Sequence, residues 1–331
     1  MIMHRAEEAG LITGIKLPNH GPTITHLSYA DDVMFLCEWS IQNAVNIHRM
    51  LRCFSLLTGL NGNLQKSKVY GVGVSDSDIN EVAGIFKCEV DTFLFTYLGL
   101  PIGANMKRAK HWEPIIKRFQ KRLNGWKAKT LSFAGRVTLA KSVLGSLSSY
   151  FLGIFKVPKV VLKTLEGIRR KFVWEQVGNK NKICWFRWGK MLRSKRQGGL
   201  GIRGLESFNL AMVAKWWWRI REDLNQLWAR VIAAIHGSDK CNKMVPINKN
   251  IKGWWKDITD IQRSLMKMGI NIKDKLKVQT RNGMKSKMWF DDWAACGPLS
   301  MMFPNVFKLA SDKGALVSAC YDIIGSIRQW R

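Results

Sequence analysis

Asp31 and Asp32 are adjacent carboxylates flanked by two largely apolar runs, Ile24 to Tyr29 and Val33 to Cys37. These runs contain Val, Ile and aromatic side chains, which suits two short strands joined by a turn with the acids at its tip. Neighbouring carboxylates at such a tip repel each other and gain little from packing. One reading therefore places a divalent cation between them, and hard oxygen ligands of this kind suit Mg²⁺. Paired ions about 4 Å apart clamp the attacking and leaving oxygens of an in-line phosphoryl transfer. The other reading is a solvated hairpin tip, the commoner situation for two acids in a turn.

The rest of the chain must position this pair. Its 331 residues, 47% of them hydrophobic and 11% aromatic, are enough to bury a core in two or more units. The net charge of +29 is unevenly spread. Residues 1–104 hold 7 Lys and Arg against 10 Asp and Glu, leaving 46 against 14 for the remainder. An acidic unit able to take metal beside a basic unit able to hold phosphates fits that division. Seven cysteines at 37, 53, 88, 184, 241, 296 and 320 form no CxxC pair and no zinc spacing. They read as reduced packing residues of an intracellular protein, nuclear or cytoplasmic. Acids among the first ten residues argue against a signal peptide, and no apolar run reaches the roughly 20 residues of a membrane span, so no membrane partner is expected.

In chain order, Met1 to Ala9 reads as the end of a helix closed by Gly10. Ser40 can cap a helix whose residues Ile41, Ala44, Val45, Ile47, Leu51, Phe54 and Leu57 follow helical spacing up to Gly59. His48 within it reads as packed or solvated. A loop from Gly59 to Lys68 precedes an expected strand over Val69 to Val74. From Asn105 to Thr130 there are nine basic residues, Lys107, Arg108, Lys110, Lys117, Arg118, Lys121, Arg122, Lys127 and Lys129, against Glu113 alone. Trp112, Ile115, Ile116, Phe119, Leu123 and Trp126 run through them at steps of three and four, which predicts an amphipathic helix with a positive outer face. That face is either simply solvated or a contact for a polyanion. A second helix begins near Ser132, which can cap it, and contributes Arg136 and Lys141. A third carries Pro158 in its first turn and runs to about Trp174. Leu210, Val213, Trp217, Ile220, Leu224, Leu227 and Val231 recur at core spacing in one long helix, with Trp217 in the core. Trp216 and Trp218 flank that stripe as candidate stacking platforms beside Lys215 and Arg219. A loop or boundary is expected between Gly237 and Lys252, and Asp291 and Asp292 read as a capped turn.

Several strings together resemble the reverse transcriptases of non-LTR, LINE-type retrotransposons, particularly those of plants. They are Tyr29-Ala30-Asp31-Asp32; Gly59-Leu60 with Asn63, Lys66 and Ser67; Tyr97-Leu98-Gly99-Leu100-Pro101; the run from Leu131 through Arg136 to Leu144; and Gly198-Gly199-Leu200-Gly201-Ile202 with Asn209 and Lys215 to Arg219. The similarity covers most of Ile24 to Ile235 and a short piece near 280 to 305, where the family's tryptophan element is altered to Trp289-Phe290-Asp291-Asp292-Trp293.

This resemblance implies an α+β polymerase palm, partial here, over residues 1–104, and a helical basic thumb over 105–178. A helical Trp-rich region over 179–240 and a small C-terminal region over 241–331 would follow. Asp31 and Asp32 would hold Mg²⁺ and, with Lys66, serve RNA-directed DNA polymerisation. Tyr29, Ala30, Asn63 and Ser67 would neighbour the nucleotide, and Tyr97, Leu98 and Gly99 would support the primer end. The alternatives are an exposed turn for Lys66 and a structural strand for Tyr97 to Pro101. An RNA template, a DNA primer or their duplex, and deoxynucleotides would be the partners, and no zinc is expected. The family's further metal-binding Asp lies upstream of the hairpin, whereas residues 1 to 30 hold only Glu7 and Glu8 as acids. The chain alone is therefore expected to be inactive as a polymerase. The alternative function is a non-catalytic nucleic-acid-binding protein derived from such an element.

Overall fold

The computed structural model describes residues 2–123, 130–143, 149–174, 184–222, 225–237, 253–271, 282–284, 286–294, 296–324 and 327–330. Helices dominate them and the sheets are small, so the fold is mixed α+β. The acidic part contains α1 (Ile2–Glu8), β1 (Ile15–Lys16), β2 (Thr23–Ile24), β3 (His26–Tyr29) and β4 (Asp32–Phe35). It continues with α2 (Ile41–Thr58), β5 (Lys68–Val69), α3 (Asp76–Phe86), β6 (Glu89–Val90), β7 (Thr96–Tyr97) and β8 (Leu100–Pro101).

Every sheet among the described residues is two-stranded. These residues form no larger sheet around the acidic hairpin, and the mixed α+β fold does not by itself identify a polymerase palm. Leu27, Tyr29 and Val33 of β3 and β4 stay exposed, because no neighbouring strand covers them. What holds this region is polar stitching. Asn43 of α2, buried, donates to the Glu38 carbonyl at 2.9 Å and accepts from the Thr13 amide at 3.1 Å, fixing two extended segments to the helix. Gly59 closes α2 in the left-handed region, φ 73°, a conformation glycine adopts without a Cβ penalty. Ser40 stands at the other end in extended conformation, but its side chain makes no capping bond. Only Asn43, Ala44 and Ile47 of α2 are buried, with Met50 and Leu51 packed beside Ile47, while Phe54 and Leu57 stay in solvent. His48 packs edge-on against Phe86. The expected strand over 69–74 is only β5, which pairs in parallel with β6 through α3. Ser75 caps α3 by accepting from the Asp78 amide.

The basic part contains α4 (Glu113–Arg122), α5 (Phe133–Val143), α6 (Ser149–Ile154), α7 (Lys159–Val173) and α8 (Trp188–Met191). Beyond these lie α9 (Leu205–Glu222), α10 (Leu227–His236), α11 (Gly253–Thr259), α12 (Ile261–Met266), α13 (Leu299–Met302) and α14 (Pro304–Leu309), then β9 (Tyr321–Ile324) and β10 (Ile327–Trp330). Two cores meet along this series. The first joins Trp112, Ile115, Phe119 and Leu123 to Phe151, Leu165, Phe172 and Leu205. The second joins Leu210, Val213, Trp217 and Ile220 to Ile232, Trp255, Ile258 and Ile261. Helix α9 therefore enters both.

Most of the helical reading holds here. Ser132 accepts from the Gly135 amide and caps α5, and Pro158 precedes α7 as its N-cap instead of entering its first turn. The long helix expected from Leu210 to Val231 is divided, α9 ending at Glu222 and α10 starting at Leu227, whose side chain is exposed. Periodicity continued across the break, which is why sequence did not reveal it. Among the described residues, no helix is long and apolar enough to cross a membrane.

Candidate functional site

The acidic hairpin is formed as read. Tyr29 pairs with Asp32, leaving Ala30 and Asp31 at the tip, and Ala30 takes φ 53° to close the turn. Both carboxylates are exposed. Lys66 sits in a separate turn, where the Asn63 side chain accepts from the Lys66 amide at 3.1 Å and the Asn63 carbonyl accepts from the Ser67 hydroxyl at 3.0 Å. These two contacts give Asn63 and Ser67 a local backbone role, and the Lys66 side chain is exposed. Leu98 and Gly99 form the tip of the β7–β8 hairpin, both with positive φ, 49° and 78°, as a type I′ turn requires. Tyr97 and Leu98 are half-buried beside it.

Among the described residues no three His, Cys, Asp or Glu side chains gather to hold a metal ion. Asp31 and Asp32 thus stand, among the described residues, as two carboxylates without a third metal-ligating side chain beside them. The hairpin's neighbour is Tyr150 of α6, whose phenol is raised above its ordinary pKa by burial first and by Tyr29 second. Asp291 and Asp292 act on backbone. Asp291 accepts from the Lys287 amide and Asp292 from the Gly297 amide, each at 2.9 Å, as a capped turn would.

The basic residues divide into engaged and displayed. Lys107 pairs with Asp257 of α11 at 3.2 Å. Arg136 donates from Nε to the Val173 carbonyl at 3.0 Å and from Nη1 to the Leu131 carbonyl at 2.7 Å, tying α5 to the end of α7. Lys141 is half-buried. Arg108 and Lys110 are exposed before α4, while Lys127 and Lys129 lie outside the described residues. On α4 itself Lys117, Arg118, Lys121 and Arg122 share one exposed side, because steps of three and four return to the same face. Ile115 and Phe119 point the opposite way into the first core, and Trp112 anchors the helix start by donating its indole N–H to the Met106 carbonyl at 2.8 Å. Among the described residues, only Lys117 of the four displayed cations has an acid near it, Glu113 at 4.0 Å. That pair is long and exposed, so it offsets little of the charge.

Behind this face the packing is pinned by buried polar groups. Asn209 of α9 donates to the carbonyls of Leu152 and Phe155, at 2.7 and 2.8 Å, and accepts from the Val157 amide at 3.0 Å. It thereby satisfies the end of α6. Glu166 of α7 accepts from Arg169 at 2.8 Å, from the Trp188 indole at 2.9 Å and from the Leu205 amide at 2.7 Å. Burial lowers the Arg169 pKa and Glu166 works against that shift. Trp217 is in the core as expected, donating to the Ile258 carbonyl. Trp216 is half-buried and held by the Gly153 carbonyl, with Arg219 over its ring, while Trp218 is exposed. Sequence alone gives Trp185 and Phe186 no role, yet both are exposed aromatic rings lining a cleft. The available signal is two aromatic residues inside an acid-free basic run.

No family model matches the chain. Over 187 residues, 56% of its length, it is 30% identical to a protein of Arabidopsis thaliana whose name assigns it to ribonuclease H. The chain spans 29% of that relative. Over 151 residues, 45% of its length, it is 29% identical to an uncharacterized mitochondrial protein of the same plant, 92% of which is covered. These matches correct the resemblance to LINE-type reverse transcriptases. One relative bears a ribonuclease H name, the other bears no functional name, and neither is named as a polymerase.

Proposed function

We propose that this chain is a nucleic-acid-binding protein of retroelement origin that holds duplexes, RNA–DNA hybrids among them, by their phosphates. The observation that carries the reading is the exposed side of α4, where Lys117, Arg118, Lys121 and Arg122 project away from a helix fixed by its buried stripe. A surplus of positive charge so displayed repels itself unless a polyanion offsets it. Side chains of this type contact phosphate and sugar, so binding is largely independent of sequence. The ribonuclease H name of one relative supports a hybrid duplex as the ligand class.

Catalysis forms no part of this reading. Binding of a blunt RNA–DNA duplex to the whole chain, followed by fluorescence anisotropy across a salt series, is the test. Affinity is expected to fall steeply with salt, to need no Mg²⁺, which acts only as a competing cation, and to be indifferent to Asp31→Ala. Salt-insensitive or absent binding would overturn it.

A further inference from the structure

A second feature lies apart from the α4 face. Phe133 and Arg136 of α5, Trp174 at the end of α7, and Trp185, Phe186 and Lys190 surround a cleft of about 910 Å³, with Gly198 and Gly199 in its wall. That is the scale of sites that enclose small organic ligands, about 300–1,000 Å³. We propose that this cleft is a stacking site for unpaired bases of a single strand of nucleic acid.

Three observations lead there. The first is aromatic. Trp185 and Phe186 are 76% and 63% exposed, adjacent, and placed beside Phe133 and Trp174, whose rings stand 5.6 Å apart. Neighbouring exposed aromatic rings gain nothing from the fold, whereas every base presents a π-face to such rings whatever its identity. The second is electrostatic. Residues 184–203 contain six Lys and Arg and no acid, which suits the phosphates that link bases. Arg136, tied to two carbonyls, presents a fixed positive charge in the wall, and Lys190 is exposed beside it. The third is an unmade hydrogen bond. Trp174 is 8% exposed and its indole N–H meets no acceptor among the described residues. A buried donor left unpaired is costly, and base carbonyls and ring nitrogens are acceptors.

The cleft is built rather than incidental. Leu200 donates its amide to the Met191 carbonyl and Gly201 to that of Arg193, folding the glycine loop back onto α8. A Cβ on Gly199 would lie 2.1 Å from the Arg193 carbonyl oxygen, so no other residue fits there without moving backbone. Glu166 holds the Trp188 indole from behind, which fixes the segment carrying Trp185 and Phe186.

The proposal deepens the duplex-binding reading and rests on it for the class of ligand; the experiment separates the two. The whole chain and the W185A/F186A variant are titrated with three labelled probes: a blunt RNA–DNA duplex, the same duplex with an unpaired overhang, and the overhang strand alone. The wild type should prefer the overhang duplex to the blunt one and bind the strand. The variant should lose roughly 5- to 150-fold in affinity per stacked base on both, with blunt-duplex affinity unchanged. An overhang that adds nothing in the wild type, or a preference that survives in the variant, overturns the proposal. Strand binding lost in the variant, with no blunt-duplex binding by the wild type, upholds the cleft and defeats the duplex reading. Should the double variant lose its helical circular dichroism, K190Q decides: weaker strand binding supports the site and wild-type strand binding overturns it.

Discussion

Replacing Lys117, Arg118, Lys121 and Arg122 together by glutamine removes the displayed charge of α4 and little else. Glutamine is about as good a helix former as Lys or Arg, and none of the four contributes to the buried stripe of Ile115 and Phe119. The magnitude follows from geometry. Residues 117 to 122 span about 7.5 Å of helix at 1.5 Å per residue, and a duplex carries one phosphate charge per roughly 1.7 Å of axis, so about four phosphates face the patch. Each neutralised phosphate adds about −0.9 to the slope of log affinity against log salt. The wild-type slope should therefore be steeper than the variant's by about 3.6. Between 50 and 200 mM salt, a fourfold change, the wild type should lose about 150-fold more affinity than the variant. Anisotropy titrations at several salt concentrations read both slopes, with circular dichroism confirming that the helices persist. Equal slopes in a folded variant would refute the assignment of this face to phosphates.

Other perturbations probe the frame behind that face. Asn209→Ala leaves the Val157 amide and two carbonyls without their buried partner, and should lower stability by about 3 kcal/mol in urea unfolding. Glu166→Gln leaves Arg169 buried without its counter-charge, for an expected loss of about 3–5 kcal/mol; a smaller loss in the double change with Arg169→Met would show that the penalty is the unpaired charge. Asp91 lies below its ordinary carboxylate pKa of 3.8, chiefly through its hydrogen bond from Lys68. A depressed carboxylate stabilises the fold above the unfolded value, and that contribution is lost as pH falls through the folded one. NMR titration should find the Asp91 midpoint below 3.8 in the wild type and higher in Lys68→Met, where the Thr92 amide still bonds the carboxylate.

The parts of the fold legible in sequence are those in which local pattern and long-range packing agree. The stripe from Trp112 to Leu123 and the set Leu210, Val213, Trp217 and Ile220 are buried where their spacing put them. The cap at Ser132 and the stop at Gly59 depend on neighbours within a few residues, and both are present. What escaped depends on partners distant in the chain. Nothing in the sequence says that Lys107 meets Asp257 or that Arg136 reaches Val173, so two residues read as phosphate contacts are also structural ties. Helix α3 departs from this pattern: its cap at Ser75 and its buried Ile79, Val82 and Ala83 are local signals, yet the sequence reading expected no helix there. The cleft joins α5 to residues some fifty positions later, and only the fold brings Phe133 beside Trp185. The family resemblance failed differently: it rested on short strings compatible with a structural role, which Asn63 and Ser67 illustrate by bonding within their own turn.

Helix α9 has a mechanical consequence. Leu205 at its start closes one core while Leu210, Val213, Trp217 and Ile220 line the other, so a single rigid rod is a wall of both. Neither core can open without dragging the other's wall with it. Heat or denaturant should accordingly meet the stretch from Met106 to Leu265 as one melting block with coincident transitions by every probe. Strain applied at α4, whose Phe119 packs in the first core, would then reach Trp255 in the second through that shared rod as well as through the Lys107–Asp257 pair.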